Sequence, residues 1–379
     1  METILTNARL VLENEVVEGT LCFGPDGIRS VDTGRSSLAS AIDAEGDFVT
    51  PGLIEMHTDN LEKHFVPRPG VLWPNGLAAA LAHDAQMAAA GVTTVYDAVC
   101  AGYEAGDAVS RRHTFEKLVA AVKAGVAGQL FRIDHKLHLR CELSGADVIE
   151  AITPHVDHPL VALASLMDHT PGQRQWSDLR HLKTYVVGKS GKTDAEWEAH
   201  LAVRMESAGN VPRNAPIVVE MFRARGIPLA SHDDTTVEHV EEGLASGVVI
   251  SEFPTTVDAA AAAKRHGLMT VAGAPNVVRG GSHSGGVSVA TLATEGVLDG
   301  LSSDYVPASL LQAVERLTVV SGIALPKAMG MVTWAIADGL GLADRGRLAP
   351  GLRSDVLRFR LFGETPIVRG LWVAGRLVH

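Results

Sequence analysis

The sequence has no unbroken apolar run of about 18 residues or more, the length a membrane-spanning helix requires. Yet 46% of its 379 residues are hydrophobic, so a soluble globular chain with a large core is expected. The opening, "METILTNARLVLENE", lacks a basic segment followed by an apolar one. No secretory leader is therefore expected, and the cytoplasm is the expected compartment. Cysteine is scarce: Cys22, Cys100 and Cys141 stand without C-x-x-C spacing, which provides neither a disulfide framework nor a thiolate zinc site. Positive charge is in deficit. A formal net charge of −11 lacks the basic footprint that replaces counterions on a nucleic acid. Neither nucleic acid nor membrane is expected as a partner, and the oligomeric state is left open, a homo-oligomer included. Internal repeats and disordered tracts are absent as well. A phosphate-binding P-loop is missing despite "VVGKSGKT" (186–193), because G-x-x-x-x-G-K-[ST] needs glycine at Val186 and the glycine stands at 188. Thr193-Asp194-Ala195-Glu196 reads instead as a capping box opening a helix.

What is present is a β-rich segment at each end. Residues 1–50 hold short strand runs with Pro25-Asp26-Gly27 as turn chemistry, and residues 341–379 read the same way. The two ends are expected to pair into one small β-sandwich. Between them, residues 51–340 alternate β-branched runs with alanine-rich stretches, the pattern of βα units on a parallel sheet. Eight strands are predicted, at 52–59, 92–99, 135–143, 160–169, 228–235, 247–254, 270–277 and 298–305. Eight such units fit an α/β fold of the (β/α)8 TIM-barrel type. A doubly wound sheet would place a glycine-rich turn after the first strand, where His57-Thr58-Asp59-Asn60 stands.

In a barrel, catalytic groups come from the C-terminal ends of the strands. Those ends carry His57, Asp59, Glu142, Asp168, His169, His232, Asp233, Asp234, Glu252, Ser303 and Asp304. Any one of them alone is better read as a capping or loop group. Six together, His57, Asp59, Glu142, His169, His232 and Asp304, form a ligand set for one or two divalent ions. Imidazole with carboxylate and no thiolate suits zinc, or manganese. His57 and Asp59 are two apart and are expected to point the same way and grip one ion. Three carboxylates against two divalent ions leave about one positive charge, enough to hold a hydroxide whose parent water has a pKa near 7. Glu142 is expected to bridge the ions, and Asp304 to ligate one and take the proton of the attacking water.

The stretches "TPGLIEMH", "HTDNLEKH", "PRPGVLWP", "HKLHLRCEL", "SLMDHTPGQRQW", "ASHDDTT", "SEFPTT", "GAPNVVRGGSHSGGVS", "LSSDY" and "LAPGLRSDVL" resemble the amidohydrolase superfamily. Within it all but the first and last of these stretches resemble the PhnM-type α-D-ribose 1-methylphosphonate 5-triphosphate diphosphatase family. They cover most of residues 50–305. His57-Thr58-Asp59 matches that family's departure from the usual His-x-His. The strand count puts His169 and His232 one strand earlier than the superfamily plan. The resemblance implies hydrolysis of a ribosyl phosphonate 5-triphosphate to the 5-phosphate and pyrophosphate, by attack of a metal hydroxide on the α-phosphorus. Such a polyanion needs local positive charge. The candidates are Lys63, His64, Arg68, Arg140, Gln173, Arg174, Lys189, Arg279 and His283, the last two within the glycine-rich "RGGSHSGG".

Two other functions fit part of the pattern. A deacetylase or cyclic amidase cleaving a C–N bond would use the same ligands but not the basic loops. A non-catalytic metal-binding subunit would need neither the base nor a charge-rich pocket.

Overall fold

The computed structural model describes residues 2–68, 70–102, 111–282 and 285–379; the side chains of residues 111–113, 185, 189 and 190 also lie outside the described set. All eight predicted strands form: β1 (Leu53–Thr58), β2 (Val92–Ala101), β3 (Asp134–Glu142), β4 (Val161–Met167), β5 (Leu229–His232), β6 (Ile250–Glu252), β7 (Met269–Gly273) and β8 (Gly300–Ser302). They lie side by side in sequence order, every pair parallel. β1 and β2 are buried along their whole length, as expected of strands covered on both faces. The sheet closes where Thr58 bridges Asp304 in parallel and the Asp59 N–H donates to the Asp304 carbonyl at 2.9 Å.

Alternation along the strands divides the barrel into a floor and a mouth. At the floor, Ile54, Met56, Tyr96, Leu163, Ala230, Ile250 and Val271 pack against Ile336 and Ala337. The last two come from the helix Trp334–Gly339, which plugs the N-terminal end. Close approach is possible because Gly300 and Gly339 carry no Cβ; one built there would fall 2.4 Å from Ile336 and 2.0 Å from the Met269 sulfur. Each such large apolar side chain contributes roughly 1.5–3 kcal/mol by burial. The floor of the barrel interior is therefore dry, and the interior polar groups described below lie above it, at the mouth.

The two ends of the chain build one continuous hydrogen-bonded sheet. Its strand order is Arg376–Leu377, Thr365–Val373, Val356–Phe362, Phe48–Pro51, Thr3–Val11, Val16–Gly24 and Gly27–Thr33, with Ile42–Asp43 beside Thr3–Val11. Phe23 and Trp372 are four strands apart in this order, about 19 Å on a flat sheet. Their rings meet edge to face at 5.6 Å, so the sheet rolls onto itself as the expected sandwich.

Between β4 and β5 an insertion carries the helices Leu179–Ser190 and Asp194–Ser207 around a small core of Trp176, Leu182 and Trp197. The expected capping box opens the second helix: the Thr193 hydroxyl accepts from the Glu196 N–H, and the Glu196 carboxylate accepts from the Thr193 N–H.

Candidate active site

At the mouth, ionisable side chains converge as two trios. The deeper one is His57 from the end of β1, His138 from inside β3 and Glu252 from the end of β6, all buried, with ligand-type atoms within 4.8 Å of one another. His57 Nδ1 lies 3.1 Å from Glu252 Oε2, and His138 Nε2 lies 3.8 Å from Glu252 Oε1. The His138 ring is aligned by Nδ1–H donating to the Met56 carbonyl at 3.0 Å, which leaves Nε2 as an acceptor. Nε2 contacts the Ser165 hydroxyl, and that hydroxyl also lies 2.7 Å from Glu252 Oε2. One hydroxyl proton serves two acceptors.

The shallower trio is His169 after β4, His232 ending β5 and the adjacent Asp233. Asp233 Oδ2 stands 3.8 Å from His169 Nε2 and 3.5 Å from His232 Nε2. The trios adjoin: the His57 and His232 rings stack at 5.5 Å, and His232 Nδ1 reaches Glu252 Oε2 at 3.4 Å. Burial holds His232 well below its usual value and so neutral. Burial also opposes the charge on Glu252, but the neighbouring His57 and His138, with hydrogen bonds from His232 and His57, outweigh it and keep Glu252 an anion. Burial pushes Asp233 up to about 7, with His169 and Arg174 pulling the other way.

Asp59 and Asp304 form the third feature. Burial, then the Asp59 charge, raise Asp304 to about 7, opposed by Arg140 and Lys63. The strand ends before Asp59, which sits at φ −93° and ψ 8° at the head of the helix Asn60–Phe65 without capping it by side chain. Asp233 and Asp304 hold φ of 56° and 52° just past strand ends, a left-handed conformation costly for non-glycine residues and common at functional sites.

Whether these residues suit a cation can be judged from their unmet acceptors. Asp59 Oδ1, Asp233 Oδ2 and Glu252 Oε1 are buried without a hydrogen-bond partner among the described residues. A buried acceptor left unpaired costs about 1–3 kcal/mol, more when charged. Three facing one mouth, beside histidine acceptors, fit divalent cations.

Several residues singled out from sequence stand differently. Glu142, expected to bridge, accepts the His169 Nδ1–H at 2.5 Å, the His169 N–H at 3.3 Å and the Ser144 hydroxyl at 2.9 Å, contacts that hold the His169 ring. His57 is grouped with His138 and Glu252 rather than with Asp59, because β1 carries a register break between Glu55 and Thr58 that ends the simple alternation. Arg174 donates to Asp234 Oδ1 at 2.8 Å and to the His232 carbonyl at 3.1 Å, so it braces the end of β5. Gln173 is tied to Asp168 at 2.6 Å, and His64 to Gln86 at 2.9 Å. Lys63 donates to the Tyr305 carbonyl and lies 4.9 Å over its ring, next to Asp304. Arg140 is half-buried and its charge reaches both Asp233 and Asp304. Arg68 and Arg279 are exposed. His283 and the side chain of Lys189 lie outside the described residues.

His138 was missed although it shares a face with Arg140 and Glu142 at two-residue spacing on β3, a legible signal. Glu252 and Asp233, strand-end carboxylates outside the ligand set expected from sequence, stand in the two trios. Arg204, buried in the helix Asp194–Ser207, donates to the His169 carbonyl at 2.6 Å; nothing in its sequence surroundings marked it.

No family model matches the chain. It is 44% identical over 357 residues to an Escherichia coli protein, alpha-D-ribose 1-methylphosphonate 5-triphosphate diphosphatase, covering 93% of this chain and 94% of that one. Among solved structures, an amidohydrolase superposes with a TM-score of 0.65 at 17% identity, covering 100% of this chain and 98% of the other. The 5-methylcytosine deaminase of Klebsiella pneumoniae does so with a TM-score of 0.65 at 14% identity, again covering 100% and 98%. These two establish the amidohydrolase fold.

Proposed function

The chain belongs to the alpha-D-ribose 1-methylphosphonate 5-triphosphate diphosphatase family, and from that premise we propose that it hydrolyses this 5-triphosphate to the 5-phosphate and pyrophosphate. The observation that carries the reading is identity to the E. coli relative across nearly the whole of both chains. The reaction joins a water oxygen to the α-phosphorus and breaks its bond to the bridging oxygen, which leaves with pyrophosphate.

The deeper trio and the shallower trio would each hold a divalent ion, zinc or manganese, with Asp59 and Asp304 at their edge. Bound there, the ions supply Lewis-acid activation of water and neutralise charge on the transferring phosphoryl group. The chain's own residues do the rest. Glu142 and Arg204 fix the ring and the carbonyl of His169, and Arg174 with Asp234 fixes the backbone of His232. Asp304 accepts the proton of the attacking water at its carboxylate, for which its place beside Asp59, Arg140 and Lys63 is suited. Arg140 and Lys63 orient the α-phosphate, while the exposed Arg68, in the loop after the helix Asn60–Phe65, and the exposed Arg279, at the end of the helix Ala274–Arg279, meet the outer phosphates. Gln173, Arg174 and His64 are engaged with Asp168, Asp234 and Gln86, which argues for a bracing rather than a phosphate-binding part for them. Among the described residues no helix is long and apolar enough to cross a membrane. The reaction is assigned to the cytoplasm because a multiply charged triphosphate does not cross a bilayer unaided.

Phosphorus NMR of the purified enzyme with the ribosyl phosphonate 5-triphosphate tests the proposal. Pyrophosphate and the 5-phosphate should appear, and chelator should abolish both. Absence of turnover, with N-acetyl or cyclic amide substrates cleaved instead, would replace it with C–N bond hydrolysis.

A further inference from the structure

Outside the mouth, a buried polar cluster is sealed between the barrel wall and the helix Gly76–Ala89. Asp97 of β2 and His135 of β3 meet His83 and Asp84 of that helix, and all four are buried. His135 Nδ1 lies 2.7 Å from Asp97 Oδ2, and its Nε2 lies 3.4 Å from Asp84 Oδ1. His83 Nε2 lies 2.8 Å from Asp97 Oδ1. Asp84 also accepts from the Arg132 main-chain N–H at 2.8 Å and its guanidinium at 2.9 Å.

His83, Asp97 and His135 are close enough to hold a metal ion, but their protons balance without one. His135 faces a carboxylate at each nitrogen and is an imidazolium. With Arg132 it neutralises Asp97 and Asp84. His83 spends its Nε2–H on Asp97, so its Nδ1 can only accept. Nδ1 faces the Asn60 side-chain amide at 3.0 Å, and that same amide nitrogen donates to Gln86 Oε1 at 2.9 Å. The network therefore fixes which way the Asn60 side chain turns. Asn60 begins the helix Asn60–Phe65 and follows Asp59 directly, and Asp59 has no side-chain cap bond of its own to orient it.

We infer that His83, held by Asp97 in the tautomer whose Nδ1 accepts, and Asn60 form a positioning arm that sets the rotation of the helix Asn60–Phe65, and through it the direction of the Asp59 carboxylate beside Asp304. This rests on the proposed role of Asp59 at the edge of the metal centre. An apolar seam would pack these elements without burying charge, and replacing buried ion pairs by apolar groups is often neutral or stabilising. What an apolar seam lacks is a directional contact to Asn60.

Two substitutions at one site separate positioning from packing. His83→Asn retains an acceptor near the Nδ1 position and loses the donor to Asp97; His83→Gln retains a donor near Nε2 and loses the acceptor for Asn60. Metal affinity is measured by chelator competition, metal content by elemental analysis, and kcat, KM and Tm on the same preparations. Partners of metal ligands typically matter by about 10–100-fold. His83→Gln and Asn60→Ala are expected to weaken metal affinity and lower kcat within that range, with KM changed less than about two-fold; His83→Asn should stay within about three-fold of wild type. Equal losses in both His83 variants, tracking Tm, would overturn the inference in favour of packing. Loss of one ion per chain from both His83 variants, but not from Asn60→Ala, would overturn it in favour of a metal site. If the wild type binds metal but leaves the triphosphate intact, the functional proposal fails while the affinity comparison still decides the arm.

Discussion

Glu142 accepts the Nδ1–H of His169 at 2.5 Å, and the carboxylate thereby turns the opposite nitrogen of the ring toward Asp233. That relationship separates two roles for one residue. If Glu142 orients His169, Glu142→Gln should weaken metal affinity by roughly 10–100-fold while full occupancy is still reached at high metal. If it ligated an ion directly, that ion would be lost at any practical concentration. Metal titration with elemental analysis checks which holds.

Asp304→Asn removes the proposed proton acceptor without changing side-chain size. General-base removal typically costs about 10²–10⁴-fold, so kcat should fall by that much while substrate affinity, measured directly by calorimetry, stays within a few-fold. Wild-type turnover in this variant would place the base elsewhere.

Arg174→Met leaves Asp234 buried and unpaired among Ser231 and Ser251. Breaking a buried pair costs about 3–5 kcal/mol, and a fall in Tm of several degrees is expected with metal bound. A variant with unchanged Tm and a raised KM would instead return Arg174 to the substrate.

The buried network around His135 predicts a window of pH stability. The competing effects at His135 are burial, which disfavours its charge, and Asp97 and Asp84, which win and raise it to about 9 from 6.5. Its contribution is fully present below the unfolded value and is lost as pH rises through the folded one. Asp97, opposed by burial but held down to about 2 by His135 and His83, contributes above its ordinary 3.8 and loses that contribution as pH falls toward 2. Stability from this cluster should therefore be greatest between about pH 4 and 6.5. Thermal unfolding from pH 6 to 10 should show a decline that is smaller in His135→Gln than in wild type.

The architecture was legible because the pattern of a buried parallel strand is local: each of the eight runs announces itself without reference to the others. The mouth was legible only as a list of residues at strand ends. Which of them meet depends on register, and the break in β1 after Glu55 has no sequence signature. The pairing of Arg174 with Asp234 could not be read in the sequence because the two lie 60 residues apart. His138 was hidden for the opposite reason, since it lies within a strand rather than at its end. Thr193 and Glu196, three residues apart and answerable to nobody else, were read correctly for the same reason the strands were.

The first and last strands of the barrel share no ladder. Among the described residues they are joined by the Thr58–Asp304 bridge, the Asp59 N–H and the Thr58 hydroxyl on the Asp304 carbonyl, the Ser302 hydroxyl on the His57 carbonyl and the Ser303 N–H on Glu55. The clasp of the cylinder is thus made from its chemical residues and their immediate neighbours. An enzyme built this way has no closed but inert form to retreat to: whatever loosens the clasp disarms the mouth in the same motion. Slow amide exchange at Asp59 would then report the fraction of molecules competent to react.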